Sequence, residues 1–168
     1  MEASPPQDHT WTAFRYEAPV VQQVVALKFR GNFQPARTLG TLMAERIAAR
    51  VGPFPEWLVP VPLHTARLCQ RGYNQALEVA REIAPRLSIR LAPEAARRVR
   101  PTREQTDLHA AERRRNVRGV FEADPGVKGR HVALMDDVIT TGATIAELAR
   151  TLRRAGASRV EAWAIARA

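Results

Sequence analysis

Apolar positions along this chain recur with two periods, three-to-four and continuous, and they mark out its elements. Val20, Val21, Val24, Val25 and Leu27 give one helical face that Pro19 opens and Gly31-Asn32 breaks. A second helix starts at Pro35, where Leu39, Leu42, Met43 and Ile47 recur at three and four, and Gly52-Pro53 closes it. Trp57 to Val61 reads as a short strand, limited by Pro60 and Pro62. Asn74 is placed to cap a helix running to about Arg86, with Leu77, Ala80 and Ile83 inward. Short strands follow at Ser88 to Leu91, at Ala96 to Val99 and at Val120-Phe121. Val132 to Met135 is uninterrupted, the pattern of a parallel strand covered on both faces. Ile145, Leu148, Ala149, Leu152 and Ala155 then form the buried stripe of a helix that Gly156 ends, and Val160 to Ile165 is a last strand.

Strands alternating with helices in this way predict an α/β fold, with a mainly parallel sheet flanked by helices. Met1 to Ala18 reads as an N-terminal tail whose Trp11, Phe14 and Tyr16 pack against the rest, and residues 19–168 as one domain. At 168 residues, 45% of them hydrophobic, such a domain buries roughly two-thirds of its unfolded surface. No apolar stretch approaches the ~20 residues of a membrane helix, so no membrane insertion is expected. Met1 to Thr10 lacks the apolar segment of a secretory leader. Cys69, the single cysteine, excludes an internal disulfide and a cysteine-based zinc site, and no zinc is expected. A cytoplasmic location follows as the expectation.

Charge adds a partner class. There are 26 basic residues against 17 acids, a net +9, and all the basic residues are arginines except Lys28 and Lys128. Genomic base composition accounts for arginine in place of lysine, but not for the net charge. An excess of this size favours polyanions, either nucleic acid or phosphorylated small molecules.

The densest chemistry lies in Val132-Ala-Leu-Met-Asp136-Asp137-Val-Ile-Thr140-Thr141-Gly142-Ala143-Thr144. A strand ends in two adjacent carboxylates, and a short polar turn leads into a helix. Helix N-termini present backbone N–H groups to anions, and Gly142 permits a positive φ where the turn requires one. A phosphate on the turn and a diol on the carboxylates together describe a phosphorylated ribose. Paired acids at a strand end also occur as a Mg2+ site in receiver domains, and short Thr-Gly turns cap many helices.

Two further segments are basic. Pro62-Leu63-His64 leads to Arg67 and Arg71, four residues apart, and then to Gly72-Tyr73-Asn74-Gln75. Guanidinium groups grip phosphate oxygens in pairs, although a solvated loop has the same appearance. From Arg97 to Arg118 there are eight arginines against three acids. This segment, with Arg103, Gln105, Arg113, Arg114, Arg115 and Asn116, reads as a solvated loop, as a lid over a site, or as a nucleic-acid contact strip.

Over its whole length, the string ending at Thr144 resembles the 5-phosphoribosyl-1-pyrophosphate (PRPP) signature of type I phosphoribosyltransferases. With Pro60-Val-Pro-Leu63, Arg71-Gly-Tyr-Asn-Gln75, and the Gln105, Arg114, Asn116 and Gly119 series, the chain resembles the ComF family from about residue 19 to residue 168. Lys28-Phe29-Arg30-Gly31 also fits that family's N-terminal pattern. Many relatives carry an N-terminal four-cysteine zinc ribbon, and this chain has no cysteine before Cys69.

The resemblance implies a type I phosphoribosyltransferase-like fold for residues 19–168, Mg2+ carried by PRPP, and a link to DNA uptake in natural competence. It implies that Asp136 and Asp137 meet the ribose hydroxyls, with no direct protein ligand to the metal. Thr140, Thr141, Gly142, Ala143 and Thr144 would wrap the 5′-phosphate, and Arg67, Arg71 and the backbone near Leu63-His64 would take pyrophosphate. Thr140 stands where purine-salvage relatives carry an Asp facing the base, which argues against a hypoxanthine-guanine enzyme. His64 has the natural pKa for acid–base work. The resemblance leaves open the acceptor, a non-enzymatic PRPP or nucleotide sensor that binds single-stranded DNA, a role within the DNA-uptake machinery, and a homodimer.

Overall fold

The computed structural model describes residues 5–27, 32–101 and 116–168. In chain order its elements are β1 (His9–Arg15), α1 (Val20–Ala26), α2 (Gln34–Ala48), β2 (Trp57–Pro60), α3 (Thr65–Arg71), α4 (Gln75–Arg86), β3 (Arg90–Leu91), β4 (Ala96–Arg98), β5 (Phe121–Ala123), β6 (His131–Ile139), α5 (Ala143–Arg154) and β7 (Arg159–Arg167). Five strands form one parallel sheet in the order β1-β7-β6-β2-β3, and β4 and β5 pair separately as an antiparallel hairpin.

The continuous apolar run of β6 is explained by two cores, one on each face. Val132 and Leu134 pack with α5 and the β4–β5 hairpin through Leu148, Leu152, Val120 and Phe121. Ala133 and Met135 pack with α2 and α4 through Met43, Ile47, Val79 and Ile83. Helices α2 and α4 approach closely at Gly40, where an added Cβ would lie 2.5 Å from the Glu82 Cβ, so only glycine fits that crossing.

The segment expected as a tail contributes a strand. β1 runs parallel to β7 at the edge of the sheet, with Trp11 opposite Trp163 and Phe14 opposite Ala166. Trp11, Phe14 and Tyr16 pack on the α2-side core, as expected. The Arg46 guanidinium lies 4.6 Å from the Phe14 ring centroid and donates to the Ala13 carbonyl. Only Ala13 of β1 is fully buried, so the strand carried little apolar pattern to read.

A second difference is α3, a helix where the sequence has the appearance of a solvated loop. It buries none of its residues and so leaves no apolar periodicity; His64 and Gly72 set its ends. The other helices begin and end close to the expected positions, and β6 runs beyond the apolar run, through both acids to Ile139. Lys28 to Gly31 and the helical turn expected at Ala110 to Arg115 lie outside the described residues.

Candidate functional site

The sheet has a topological switch between β2 and β6. The chain leaves β2 towards α4 on one face and leaves β6 towards α5 on the other, so a crevice opens at the carboxyl ends of these two strands. There lies a cleft of about 280 Å³, bounded by Val61 and Leu63 after β2, Arg67 and Arg71 of α3, Asn74 to Ala76 at the start of α4, Arg98 of the hairpin, and residues 136–145.

Both acids line this cleft. Alternation along β6 puts Asp136 on the same face as Val132 and Leu134, towards the hairpin. Strand β2 ends at Pro60, and the residue after it still bonds to β6, from the Val61 N–H to the Met135 carbonyl. Local carboxylates then take the next amides: Asp136 Oδ1 accepts from the Asp137 N–H at 2.9 Å, and Asp137 Oδ1 accepts from the Val138 N–H at 2.7 Å. Burial raises the Asp136 carboxyl well above the ordinary carboxylate range, and the Asp137 charge adds to the rise, while Arg98 opposes it. An adjacent cation or a pair of hydroxyl donors would relieve that strain.

Residues 140–144 all line the same cleft. Gly142 takes φ +72°, a conformation that favours glycine, and is the N-cap of α5. The first N–H groups of α5 have no acceptor within the helix, which is the usual condition for anion binding at a helix start. Thr141 Oγ1 is 3.4 Å from the Ala143 N–H and holds the turn closed.

Arg67 and Arg71 share one face of α3, one turn apart, and both are half-buried in the cleft wall. Leu63 lines the cleft with them. His64 does not: its Nδ1 accepts the Ala66 N–H at 3.3 Å and caps α3. Asn116 is described and half-buried, whereas Arg103, Gln105, Arg113, Arg114 and Arg115 lie outside the described residues.

Arg98 and Gln75 line the cleft too, and the sequence names them only inside the basic run and the Arg71–Gln75 string. Arg98 follows from alternation in β4: Ala96 and Arg98 share the inner face, and Arg97 turns outward to pair with Glu122. Gln75 is 3% exposed at the start of α4, and its Nε2 has no hydrogen-bond partner. Its place directly after the Asn74 cap is a signal that could have found it.

The site thus joins an anion-binding turn, a carboxylate pair able to accept from a diol, and guanidinium groups suited to a second anionic group. Among the described residues there is no cluster of three or more His, Cys, Asp or Glu able to enclose a metal ion. No helix among them is long and apolar enough to cross a membrane.

Comparison with known proteins places these features. The family model described as "Phosphoribosyl transferase domain" matches residues 74–168. The chain is 34% identical over 171 residues to the DNA utilization protein YhgH of Escherichia coli O6:H1, covering 99% of this chain and 75% of that protein. It is 36% identical over 160 residues to competence protein F of Haemophilus influenzae, covering 91% and 70%. Among solved structures, the glutamine PRPP amidotransferase of B. subtilis, complexed with ADP and GMP, aligns with a TM-score of 0.52 at 20% identity, covering 77% of this chain and 26% of that one.

Proposed function

The chain belongs to the phosphoribosyl transferase domain family, in its ComF-like branch, and from that premise we propose that its cleft binds Mg2+-PRPP and transfers the phosphoribosyl group to a nitrogen nucleophile. The observation that carries this reading is the meeting of the Asp136-Asp137 pair, the Thr140–Thr144 turn and the Arg67/Arg71 pair in one cleft at the switch point. A 5′-phosphate on the turn, ribose hydroxyls on the carboxylates and pyrophosphate on the arginines use all three groups at once.

The residues fit Mg2+ arriving with PRPP. Asp136 is buried beside a like charge, and oxygen donors of this kind suit a hard divalent ion that keeps most of its waters. Such an ion supplies charge neutralisation for the leaving pyrophosphate. The protein's own contribution is positional. Asp136 and Asp137 orient the ribose so that C1 faces the nucleophile, and Arg67 and Arg71 stabilise the negative charge that grows as the C1–O bond breaks. Thr140 offers a hydroxyl where a ring-protonating carboxylate would otherwise stand, so the acceptor must be activated without it.

Calorimetry with PRPP and Mg2+ tests the reading. The wild-type chain is expected to bind, and the double variant Asp136→Asn/Asp137→Asn to lose roughly 1.5–3 kcal/mol of binding per carboxylate. Unchanged affinity in the double variant would reject the assignment of the diol site. A nucleobase screen on the PRPP-saturated protein would then identify the acceptor.

A second reading is favoured by the net +9 charge and by the names of the relatives, a DNA utilization protein and a competence protein. In it, the arginine-rich segment 97–118 holds single-stranded DNA during DNA uptake, and the cleft senses PRPP or a nucleotide. Binding of oligonucleotides without PRPP turnover would favour this alternative.

A further inference from the structure

Past the cleft, the carboxyl edge of the sheet continues from β6 to β7 and β1, and there it carries uncompensated positive charge. Arg167, the last residue of β7, lies opposite Ile139 of β6 on one side and opposite Arg15, the last residue of β1, on the other. Thr140 follows Ile139 directly. The edge therefore runs from the Thr140–Thr144 turn to Arg167 and on to Arg15, with a strand spacing of about 4.8 Å at each step. Both arginines are exposed. Opposite residues of neighbouring strands share a face, so both side chains leave the sheet on the side of Ala13, Trp163 and Ile165, towards α2.

Their backbone is fixed. Ile165 and Ala166 are fully buried, and the Ala168 N–H donates to the Ile139 carbonyl at 3.1 Å, which ties the end of β7 to β6. Tyr16, directly after Arg15, packs on the α2-side core. Among the described residues neither guanidinium has an acidic partner, and Glu17, two residues after Arg15, pairs with neither. Arg46 adds a third positive charge beside the end of β1: it donates to the Ala13 carbonyl and lies over the Phe14 ring, and no described acid neutralises it. The opposite edge of the sheet differs, because Arg50 and Arg159 there pair with Glu161, and Arg130 pairs with Glu56. Like charges directly opposite in a sheet are destabilising. An anion that arrives from outside explains why the pair at the carboxyl edge stands without an acid.

The cleft decides which anion. With pyrophosphate on Arg67 and Arg71, on the β2 side of β6, a nucleophile meets C1 from the opposite side, which is that of β7 and β1. The nitrogen lone pair forms the bond to C1, the C1–O pair leaves with pyrophosphate, and the proton displaced from nitrogen passes to solvent. The part of the acceptor remote from that nitrogen then extends over Arg167 and Arg15.

We propose that Arg15 and Arg167 clamp an anionic group of the acceptor, so that the nucleophile is a nitrogen base bearing a carboxylate or a phosphate. This inference rests on the phosphoribosyl reading of the cleft. Charge-assisted bonds from two guanidiniums give a preference of about tenfold for the anionic base over its neutral counterpart.

The test uses the full chain saturated with ribose 5-phosphate, which has no leaving group, so that acceptor binding is measured without turnover. Nicotinate against nicotinamide probes the carboxylate, and adenosine 5′-monophosphate against adenosine probes the phosphate. In at least one pair the anionic member is expected to bind about tenfold tighter, and the pair that shows it tells carboxylate from phosphate. The double variant Arg15→Gln/Arg167→Gln should abolish the preference, whereas Arg86→Gln, at the far end of α4, should keep it. The double variant should also bind ribose 5-phosphate within about twofold of the wild type and lose no thermal stability, since a like-charge contact is removed. Absence of any preference in the wild type, a preference that survives in the double variant, or an equal loss of ribose 5-phosphate would overturn the assignment. Weakened binding of a dT oligonucleotide with no effect on the small anions would give the arginines to a nucleic-acid backbone and overturn it too. A wild-type chain that binds neither PRPP nor ribose 5-phosphate would instead remove the phosphoribosyl reading itself, and the acceptor assignment with it.

Discussion

Asn74 ties the end of β2 to the start of α4: its Nδ2 donates to the Val61 carbonyl at 3.0 Å, while its Oδ1 accepts from the Leu77 N–H at 3.4 Å. One side chain thus closes the strand exit and caps the helix, and the two walls of the cleft that it joins keep a fixed separation. Asn74→Ala is expected to cost about 1–2 kcal/mol of stability, from loss of the cap and of the bond to Val61. Urea denaturation would measure it. Asn74→Asp keeps the cap acceptor but loses the donor to Val61, so it should recover only part of the loss.

Asp136 carries a conflict between folding and binding. Its carboxyl is raised in the folded state, first by burial and then by Asp137. A raised acid favours the folded protein when protonated, so its contribution is fully present below the ordinary carboxylate pKa and is lost as pH rises through the raised value. Asp136→Asn should therefore stabilise the chain at pH 8, and much less at pH 4, while its PRPP affinity falls. Denaturation at the two pH values, with calorimetry at the higher one, gives both signs. A variant that is less stable at pH 8 would show that the carboxylate is held by partners that outweigh its burial.

How much of this was legible in the sequence depends on what each residue buries. The Asn74 cap and the helix to Arg86 came out as expected because an amphipathic stripe follows a capping side chain. The Asp136-Asp137 pair and the turn to Thr144 were legible because an apolar strand leads straight into them. Helix α3 was not: it buries nothing, and the i, i+4 relation of Arg67 and Arg71 was visible only as a spacing. Strand β1 stayed hidden as an edge strand with one buried residue. Arg98 sat inside a run of arginines in which only strand alternation separates the inward residue from its outward neighbour Arg97.

Glu161 concerns stability alone. It is fully buried near the start of β7, at the end of the sheet away from the cleft. It pairs with Arg50 at 3.1 Å, Arg159 at 3.0 Å and His131 at 3.2 Å, and accepts from the Trp163 indole N–H at 3.2 Å. Burial pushes this carboxyl up, but the Trp163 hydrogen bond and the charges of Arg50 and His131 outweigh it, and the net pKa is lowered. A lowered acid contributes stability above its ordinary pKa and loses it as pH falls through the lowered value. Glu161→Gln should cost roughly 3 kcal/mol at neutral pH, because the cations lose their shared anion. The cost should shrink in acid, and PRPP affinity should not change. Thermal unfolding at pH 7 and pH 3.5 is the measurement.

The last prediction separates the two polyanion readings. Residues 97–118 carry eight arginines and three acids, whereas the cleft holds a carboxylate pair that repels a continuous phosphate backbone. Single-stranded DNA should therefore depend on the arginine run more than on the cleft. Arg113, Arg114 and Arg115 replaced together by Glu should reduce oligonucleotide affinity and flatten its salt dependence, by ~0.7 in slope for each phosphate contact removed. PRPP affinity should fall much less. The measurement is fluorescence anisotropy with a labelled oligonucleotide across a salt series, alongside PRPP calorimetry on the same variant. If both ligands weaken by the same factor, the segment acts as a lid over the cleft and the DNA reading loses its main support. If neither weakens, the run is a solvated surface and the positive charge of the chain acts elsewhere.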